Sequence, residues 1–254
     1  MSNNKNFRRR IQNGEQVVGT FFKINNPDVA EIIGHAGFDF IIIDTEHGNF
    51  SDSDVANIIR SAKGVGLSSI VRVRTPCEED ILHALDSGAD GVQIPGLANM
   101  EMAEKVVSST KYFPQGNRGL SLTVRSANFG VWKEEQPYVE YANEHSMVAV
   151  HVENIHMAEH IDELCTLPQI DVIFVGPADL SQSMGIPGKL NDPKLKEIIA
   201  RVFERTKAAG KAVGIFCGTP EAVRTYREMG ASYILYSSDT TLLYRALSQA
   251  RESF

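Results

Sequence analysis

The chain has 254 residues, 43% of them apolar and 22% charged, a composition that suits one folded domain and excludes a disordered chain or a disulfide-stapled miniprotein. Its 25 Lys and Arg against 32 Asp and Glu leave a net charge of −7, a field that repels phosphate backbones and anionic membranes, so neither nucleic acid nor a membrane is an expected partner. Cys77, Cys165 and Cys217 are an odd number at wide spacing with no C-x-x-C pattern, which argues against a disulfide framework and a thiolate zinc site.

The opening MSNNKNFRRR is basic but runs into IQNGEQVVGT without an apolar stretch or a small-residue cleavage site, which reads as a cytoplasmic start. Short β-branched runs then recur along the chain: VVGTFFKI from Val17, FDFIIID from Phe38, SSIVRVR from Ser68, GVQIPG from Gly91, MVAVHVE from Met147, DVIFVGP from Asp171, KAVGIFC from Lys211 and SYILYSS from Ser232. Continuous apolar runs, not polar–apolar alternation, mark strands of a parallel sheet covered on both faces. None approaches the roughly 20 residues that a membrane-spanning helix requires.

Amphipathic stretches separate these runs. Asn26-Pro27, Ser53 and Asp192-Pro193 read as helix starts, and Gly37, Gly88, Gly210 and Gly230 fall where helices end. Repetition of strand then helix over this length predicts a single (β/α)8 TIM barrel spanning residues 1–254, with an open doubly wound sheet as the alternative. Residues from about 111 to 145 break the rhythm. This stretch has no strong period and holds Pro114, Gly116, Gly119, Gly130 and Trp132, and it reads as an irregular loop or interface segment.

In a barrel the reactive groups come from the C-terminal ends of the strands. Those ends carry Asp44-Thr45-Glu46-His47, Arg72-Val73-Arg74, His151-Val152-Glu153-Asn154 and Gly176-Pro177-Ala178-Asp179. Glu153 and Asp179 on neighbouring strands suit a hard divalent cation, which takes oxygen ligands and often only one or two protein carboxylates. Glu153 closes an apolar strand, where an acid is costly to bury unless a cation or hydrogen-bond donors meet it. Duller readings stand beside these. His47 also fits a solvated loop residue, Asp179 a helix cap, and Arg72 with Arg74, which share strand parity, a pair that neutralises Asp44 and Glu46.

The segments GFDFIIIDTEHGNFS, VRVRTP, LDSGADGVQIPGLANMEMAEKVV, YFPQGNRGLS, HVEN and VIFVGPADLSQSMGIPG, in that order and followed by DTTLL at Asp239, resemble the HpcH/HpaI aldolase family of metal-dependent 2-oxo-acid aldolases. The resemblance implies a TIM barrel, a divalent metal (Mg²⁺, Mn²⁺ or Co²⁺) and reversible aldol chemistry between a pyruvate-type 2-oxo acid and a small aldehyde. Carried over by position, it implies Glu153 and Asp179 as metal ligands, His47 as the base and Arg72 as the cation on the oxo oxygen. It also implies Asp44 as the acid that orients His47 and Asp86 as an acid supplied by a neighbouring subunit. Gly176, Pro177 and Ala178, with Arg72, His151 and Arg74, are the expected substrate contacts. The family exchanges its last helix between subunits, so DTTLLYRALSQARESF is a candidate arm of a homo-oligomer built from dimers and extending to hexamers.

Two positions depart from the family pattern: His151 stands where Gln is usual, and Arg74 where a small or polar residue is. A metal Lewis acid with a histidine base, whose ordinary pKa lies near neutrality, makes enolate formation accessible near pH 7. The loops after the last two strands, Cys217-Gly218-Thr219-Pro220 and Ser237-Ser238-Asp239-Thr240, lack a phosphate seat, because Asp239 is expected to cap its own helix and repel a dianion. Arg74, Arg118 and Arg125 are candidate cations, near the mouth or in the long loop, for a carboxylate on the acceptor. Alternatives that stay open are a related carbon–carbon lyase or synthase, citrate-forming or acting on an acyl-CoA, and a barrel without catalysis. A Schiff-base aldolase using Lys23 is also open.

Overall fold

The computed structural model describes residues 6–254; residues 1–5, the beginning of the segment read as a cytoplasmic start, lie outside the described residues. A short helix α1 (Phe7–Gln12) precedes β1 (Val17–Phe22), α2 (Pro27–His35), β2 (Phe40–Asp44), α3 (Asp52–Gly64), β3 (Ser68–Arg72), α4 (Glu78–Asp86), β4 (Gly91–Ile94) and α5 (Met100–Ser108). A 3₁₀ segment, Arg125–Gly130, and α6 (Tyr138–His145) lead to β5 (Met147–Val152), α7 (Ile155–Glu159), α8 (Ile161–Cys165), β6 (Val172–Val175) and α9 (Pro177–Ser183). Then come α10 (Pro193–Ala208), β7 (Ala212–Cys217), α11 (Pro220–Glu228), β8 (Tyr233–Ser238) and α12 (Asp239–Glu252). Each strand pairs in parallel with its successor and β8 returns to β1, so the sheet closes as a TIM barrel and the open-sheet alternative falls. No helix among the described residues is long and apolar enough to cross a membrane.

The two-residue period of the strands sorts their side chains. Ile41 and Ile43 of β2 pack outward in the main core beneath the helices, while Phe40 and Ile42 join an interior cluster with Ile70, Ala149, Phe174, Tyr233 and Leu235. Continued by two residues, that inward set predicts Asp44 after Ile42, Arg72 after Ile70 and His151 after Ala149 at the C-terminal mouth. The opposite mouth is plugged by α1. Phe7 and Ile11 enter the interior cluster, with the Phe7 ring centroid 5.3 Å from that of Phe40. Arg8 clamps this plug, donating from Nε to both Asp171 oxygens at 2.9 Å.

The expected helix punctuation is present with two changes. Asn26 and Asp192 cap α2 and α10, and Gly37, Gly88, Gly210 and Gly230 all take positive φ after their helices. The cap of α3 is Ser51, not Ser53, because Ser51 forms a reciprocal capping box with Asp54. The cap of α12 is Ser238, which accepts from the Thr241 N–H, so Asp239 is free for another partner. The last part of the irregular stretch is helical: α6 buries only Tyr138, Ala142 and Asn143, too few positions to give a legible period. The remainder wraps the N-terminal end, where Tyr112, Ala127, Tyr138 and Ala142 form a small separate cluster. Lys111 is fully buried there and donates to the Asn143 and Ser146 carbonyls at 2.9 and 2.5 Å.

Candidate active site

Asp44 and Arg72 are register partners at the ends of β2 and β3, which places their inward side chains side by side. Arg72 donates to Asp44 through Nε at 2.9 Å and Nη2 at 2.8 Å, and Nη1 lies 2.9 Å from Glu46 Oε2. Two of the five guanidinium N–H groups are hydrogen-bonded to Asp44, which fixes the plane, and Nη1 is ion-paired with Glu46. Phe21 lies beneath this plane, its ring centroid 4.5 Å from the Arg72 carbon. Lys23, just after β1, adds an ammonium 3.2 Å from Asp44 Oδ2. Burial pushes the Asp44 carboxyl up, but Arg72, the His47 N–H and Lys23 outweigh it and hold the group below the usual carboxylate range. Glu46 goes the other way: burial outweighs Arg72 and leaves its carboxyl raised.

His47 stands on the loop after β2 with its side chain 61% exposed. Asp44 accepts from the His47 main-chain N–H at 3.1 Å. The acid nearest the imidazole is Glu46, 3.9 Å from Nε2. The expected Asp44–His47 relation is therefore present through the backbone and not through the ring.

Glu153 follows β5 at the same parity as His151. Its Oε1 accepts from the Gly96 N–H at 2.5 Å and its Oε2 lies 2.8 Å from His151 Nδ1. Burial raises its pKa, yet His151, the Gly96 N–H and Arg72 outweigh that and hold the carboxyl below its ordinary value. Asp179 sits exposed in the first turn of α9. Gly176 marks the space between the two acids: a Cβ built on it would lie 3.7 Å from Glu153 Oε2 and 3.8 Å from Asp179 Oδ2. Two carboxylate oxygens thus converge on a small open cradle that a side chain at residue 176 would fill, a donor set that fits a hard divalent cation. Among the described residues no three of His, Cys, Asp or Glu gather around one point, so such a cation would keep most of its sphere for water and substrate.

Not every expected residue joins this group. β3 ends at Arg72, and Arg74 leaves the strand's parity: its Nη2 donates to the Phe50 carbonyl at 2.8 Å, with Asp52 and Asp80, both at 3.7 Å, as its acids. Of the two arginines only Arg72 pairs with Asp44 and Glu46, with Lys23 as a second cation on Asp44. Arg118 and Arg125 lie at the other end of the barrel, because α4 runs back from the mouth and both arginines engage its far end. Arg118 donates to Asp86 at 2.6 Å and stacks over Tyr112, and Arg125 donates to the Ser87 carbonyl at 2.9 Å. Asp86 is therefore distant from the mouth of its own barrel. Asp239 is buried and accepts from the Lys23 and Ile24 N–H groups at 2.9 and 2.8 Å.

Two participants escaped the reading of the sequence. Gln93 and Tyr233 are fully buried inside the barrel and connect to His151. Gln93 was visible as the one polar side chain in GVQIPG, and a buried amide implies hydrogen-bonding partners.

A model of the HpcH/HpaI aldolase/citrate lyase family matches residues 17–246. The 2-dehydro-3,6-dideoxy-6-sulfogluconate aldolase of Pseudomonas putida is 32% identical over 235 residues, 92% of this chain and 90% of that one. Among solved structures, an HpcH/HpaI aldolase/citrate lyase family protein from Burkholderia cenocepacia J2315 superposes with a TM-score of 0.91 at 34% identity, covering 97% of each chain. The citrate synthase SbnG superposes with a TM-score of 0.86 at 32% identity, covering 98% of this chain and 96% of that one. The closed barrel, the acids at its mouth and these likenesses agree: the chain belongs to the HpcH/HpaI aldolase/citrate lyase family and is a carbon–carbon lyase.

Proposed function

We propose that the protein is a divalent-metal-dependent aldolase that cleaves and forms 4-hydroxy-2-oxo acids or 2-keto-3-deoxy acids, releasing a pyruvate-type 2-oxo acid and a small aldehyde. The observation that carries this reading is the cradle at Gly176, where Glu153 and Asp179 converge beside a fixed guanidinium. A bound Mg²⁺, Mn²⁺ or Co²⁺ would be held by these two acids and supply Lewis acidity at the 2-oxo acid. Arg72, its plane fixed by Asp44, offers its remaining N–H donors to the oxo oxygen, where negative charge grows as the enolate forms. In cleavage, His47 takes the proton of the C4 hydroxyl while the C3–C4 bond breaks. The aldehyde leaves, and the enolate gains a proton at C3 to give the 2-oxo acid. Gly176, Pro177 and Ala178 line the substrate's carboxylate end.

The substrate is unphosphorylated. Thr219 and Ser238 cap α11 and α12 with their own side chains, so the helix ends that hold phosphate in many barrels are taken, and Asp239 adds a carboxylate beside them. The enzyme works in the cytoplasm as a homo-oligomer. Exposed Leu243, Tyr244 and Leu247 on α12, with Leu120, Leu122 and Phe129 on the irregular segment, support subunit contacts. In such an assembly Asp86 reaches a site only in a partner subunit.

An activity screen of pyruvate with an aldehyde panel, run on metal-free protein and with Mg²⁺, Mn²⁺ or Co²⁺ restored, tests this reading. Metal-dependent turnover that Asp179→Ala and Glu153→Gln abolish is the expected result. Full activity and metal affinity in Asp179→Ala would overturn it, as would a borohydride-trapped pyruvate adduct on Lys23 with activity surviving EDTA. Likeness to a citrate synthase favours one second reading, so oxaloacetate with acetyl-CoA belongs in the screen.

A further inference from the structure

A chain of hydrogen bonds crosses the barrel interior from β8 to Glu153. Tyr233 donates its hydroxyl to Gln93 Oε1 at 3.2 Å, Gln93 Nε2 lies 2.7 Å from His151 Nε2, and His151 Nδ1 lies 2.8 Å from Glu153 Oε2. The Tyr233–Gln93 bond gives these bonds their direction. Turning the Gln93 amide over would leave the buried Tyr233 O–H without an acceptor, so Oε1 faces Tyr233 and the NH₂ faces His151. An amide nitrogen only donates, so His151 Nε2 is the bare, accepting nitrogen. The ring proton then sits on Nδ1 and points at the carboxylate. His151 is 2% exposed and stacks on Phe174 with ring centroids 4.8 Å apart, so it cannot turn toward the mouth.

We propose that His151 is a positioning residue that holds the Glu153 carboxylate for a divalent cation instead of touching substrate, and that Gln93 and Tyr233 set the tautomer that makes it a donor. The proposal rests on the reading of Glu153 as a metal ligand. With the Gly96 N–H on Oε1 and His151 on Oε2, each carboxylate oxygen accepts one hydrogen bond and keeps other lone pairs for the mouth. A carboxylate fixed before the cation arrives loses less freedom on binding it, which is why partners behind metal ligands typically change affinity about 10- to 100-fold.

Two measurements test the proposal. A long-range ¹H–¹⁵N spectrum of the wild type, with the His151 signals identified by their loss in His151→Phe, is expected to show protonated Nδ1 and bare Nε2; the opposite tautomer would overturn it. Mn²⁺ titration of metal-free protein, followed by the electron paramagnetic resonance of free Mn²⁺, is expected to show affinity weakened by about 10- to 100-fold in His151→Phe. Gln93→Leu should weaken binding in the same direction, and His151→Gln, which retains an N–H donor, should recover much of it. At saturating Mn²⁺ the KM for the 2-oxo acid should hold while kcat falls. A folded His151→Phe that binds Mn²⁺ like the wild type, or a raised KM with Mn²⁺ affinity intact, would refute the positioning role. If His151→Phe does not fold, Gln93→Leu carries the affinity test. Undiminished Mn²⁺ affinity in Glu153→Gln would remove the ligand assignment itself, a failure separable from the tautomer result.

Discussion

Arg72 engages two acids whose carboxyls move in opposite directions, Asp44 held down and Glu46 left raised. The guanidinium's fork explains the arrangement: Nε and Nη2 grip Asp44 in parallel, and Nη1 is left to reach Glu46 and the mouth. A lysine at this position would keep the charge and lose the fork. Arg72→Lys should therefore lower kcat/KM by about 10²- to 10³-fold, the cost of losing one directed donor to developing charge. Steady-state kinetics at saturating metal check this, and a loss under about fivefold would take Arg72 out of the transition state. His47→Ala should lower turnover by about 10²- to 10⁴-fold with Mn²⁺ affinity unchanged. Near-normal rates would return His47 to the role of a solvated loop residue, which its exposed side chain also suits.

At the level of elements, the turn from β6 into α9 shapes the cradle. Gly176 has φ −99°, a conformation open to any residue, so a methyl group there costs no backbone strain. It would nonetheless sit within 4 Å of both carboxylates. Gly176→Ala should fold with a Tm within a few degrees of wild type and bind Mn²⁺ at least about tenfold more weakly, a loss of about 1.4 kcal/mol or more. Equal affinity would place the cation elsewhere.

The irregular segment offers a second element-level test. Burial draws the Lys111 ammonium down to about 7 from an ordinary value of 10.5. Between these values the unfolded chain binds a proton that the folded chain has released, so stability rises with pH through this window. The folded state is penalised below it. Over pH 7 to 9, below the range in which tyrosines titrate, the stability of wild type relative to Lys111→Met should climb by an amount on the order of 2 kcal/mol. Urea denaturation at several pH values measures it, and a flat difference would show that Lys111 stays charged in the fold.

Across the whole molecule, the legible part of the fold was what the apolar runs carry. Continuous apolar runs marked eight strands, and position at the strand ends put Asp44, Arg72 and His151 at one mouth. Parity failed one step beyond a strand: Arg74 left the pattern because β3 ends at Arg72. Arg118 and Arg125 could not be placed, because the stretch that holds them has no period and its position depends on contacts with α4. Helix α6 was hidden by its short buried face. The arm role of α12 came from the family resemblance and not from its pattern, and its apolar positions remain exposed on the single chain. Sedimentation should show an assembly larger than a monomer, and Leu243→Glu with Leu247→Glu should dissociate it; a wild-type monomer at micromolar concentration would refute the homo-oligomer.

The carboxylate of Asp239 joins the first residue of the final helix to the backbone of Lys23 and Ile24, and Lys23 in turn touches Asp44. The corner after β1 and the start of α12 are thus sewn together beside Asp44, so this side of the mouth is finished only when residue 239 is in place. A ribosome-bound chain that lacks residue 239 already carries Asp44, Arg72, Glu153 and Asp179 but leaves the β1 corner untied. Clipping α12 should therefore loosen the Lys23–Asp44 corner and lower activity from a distance, without removing Asp44, Arg72, Glu153 or Asp179.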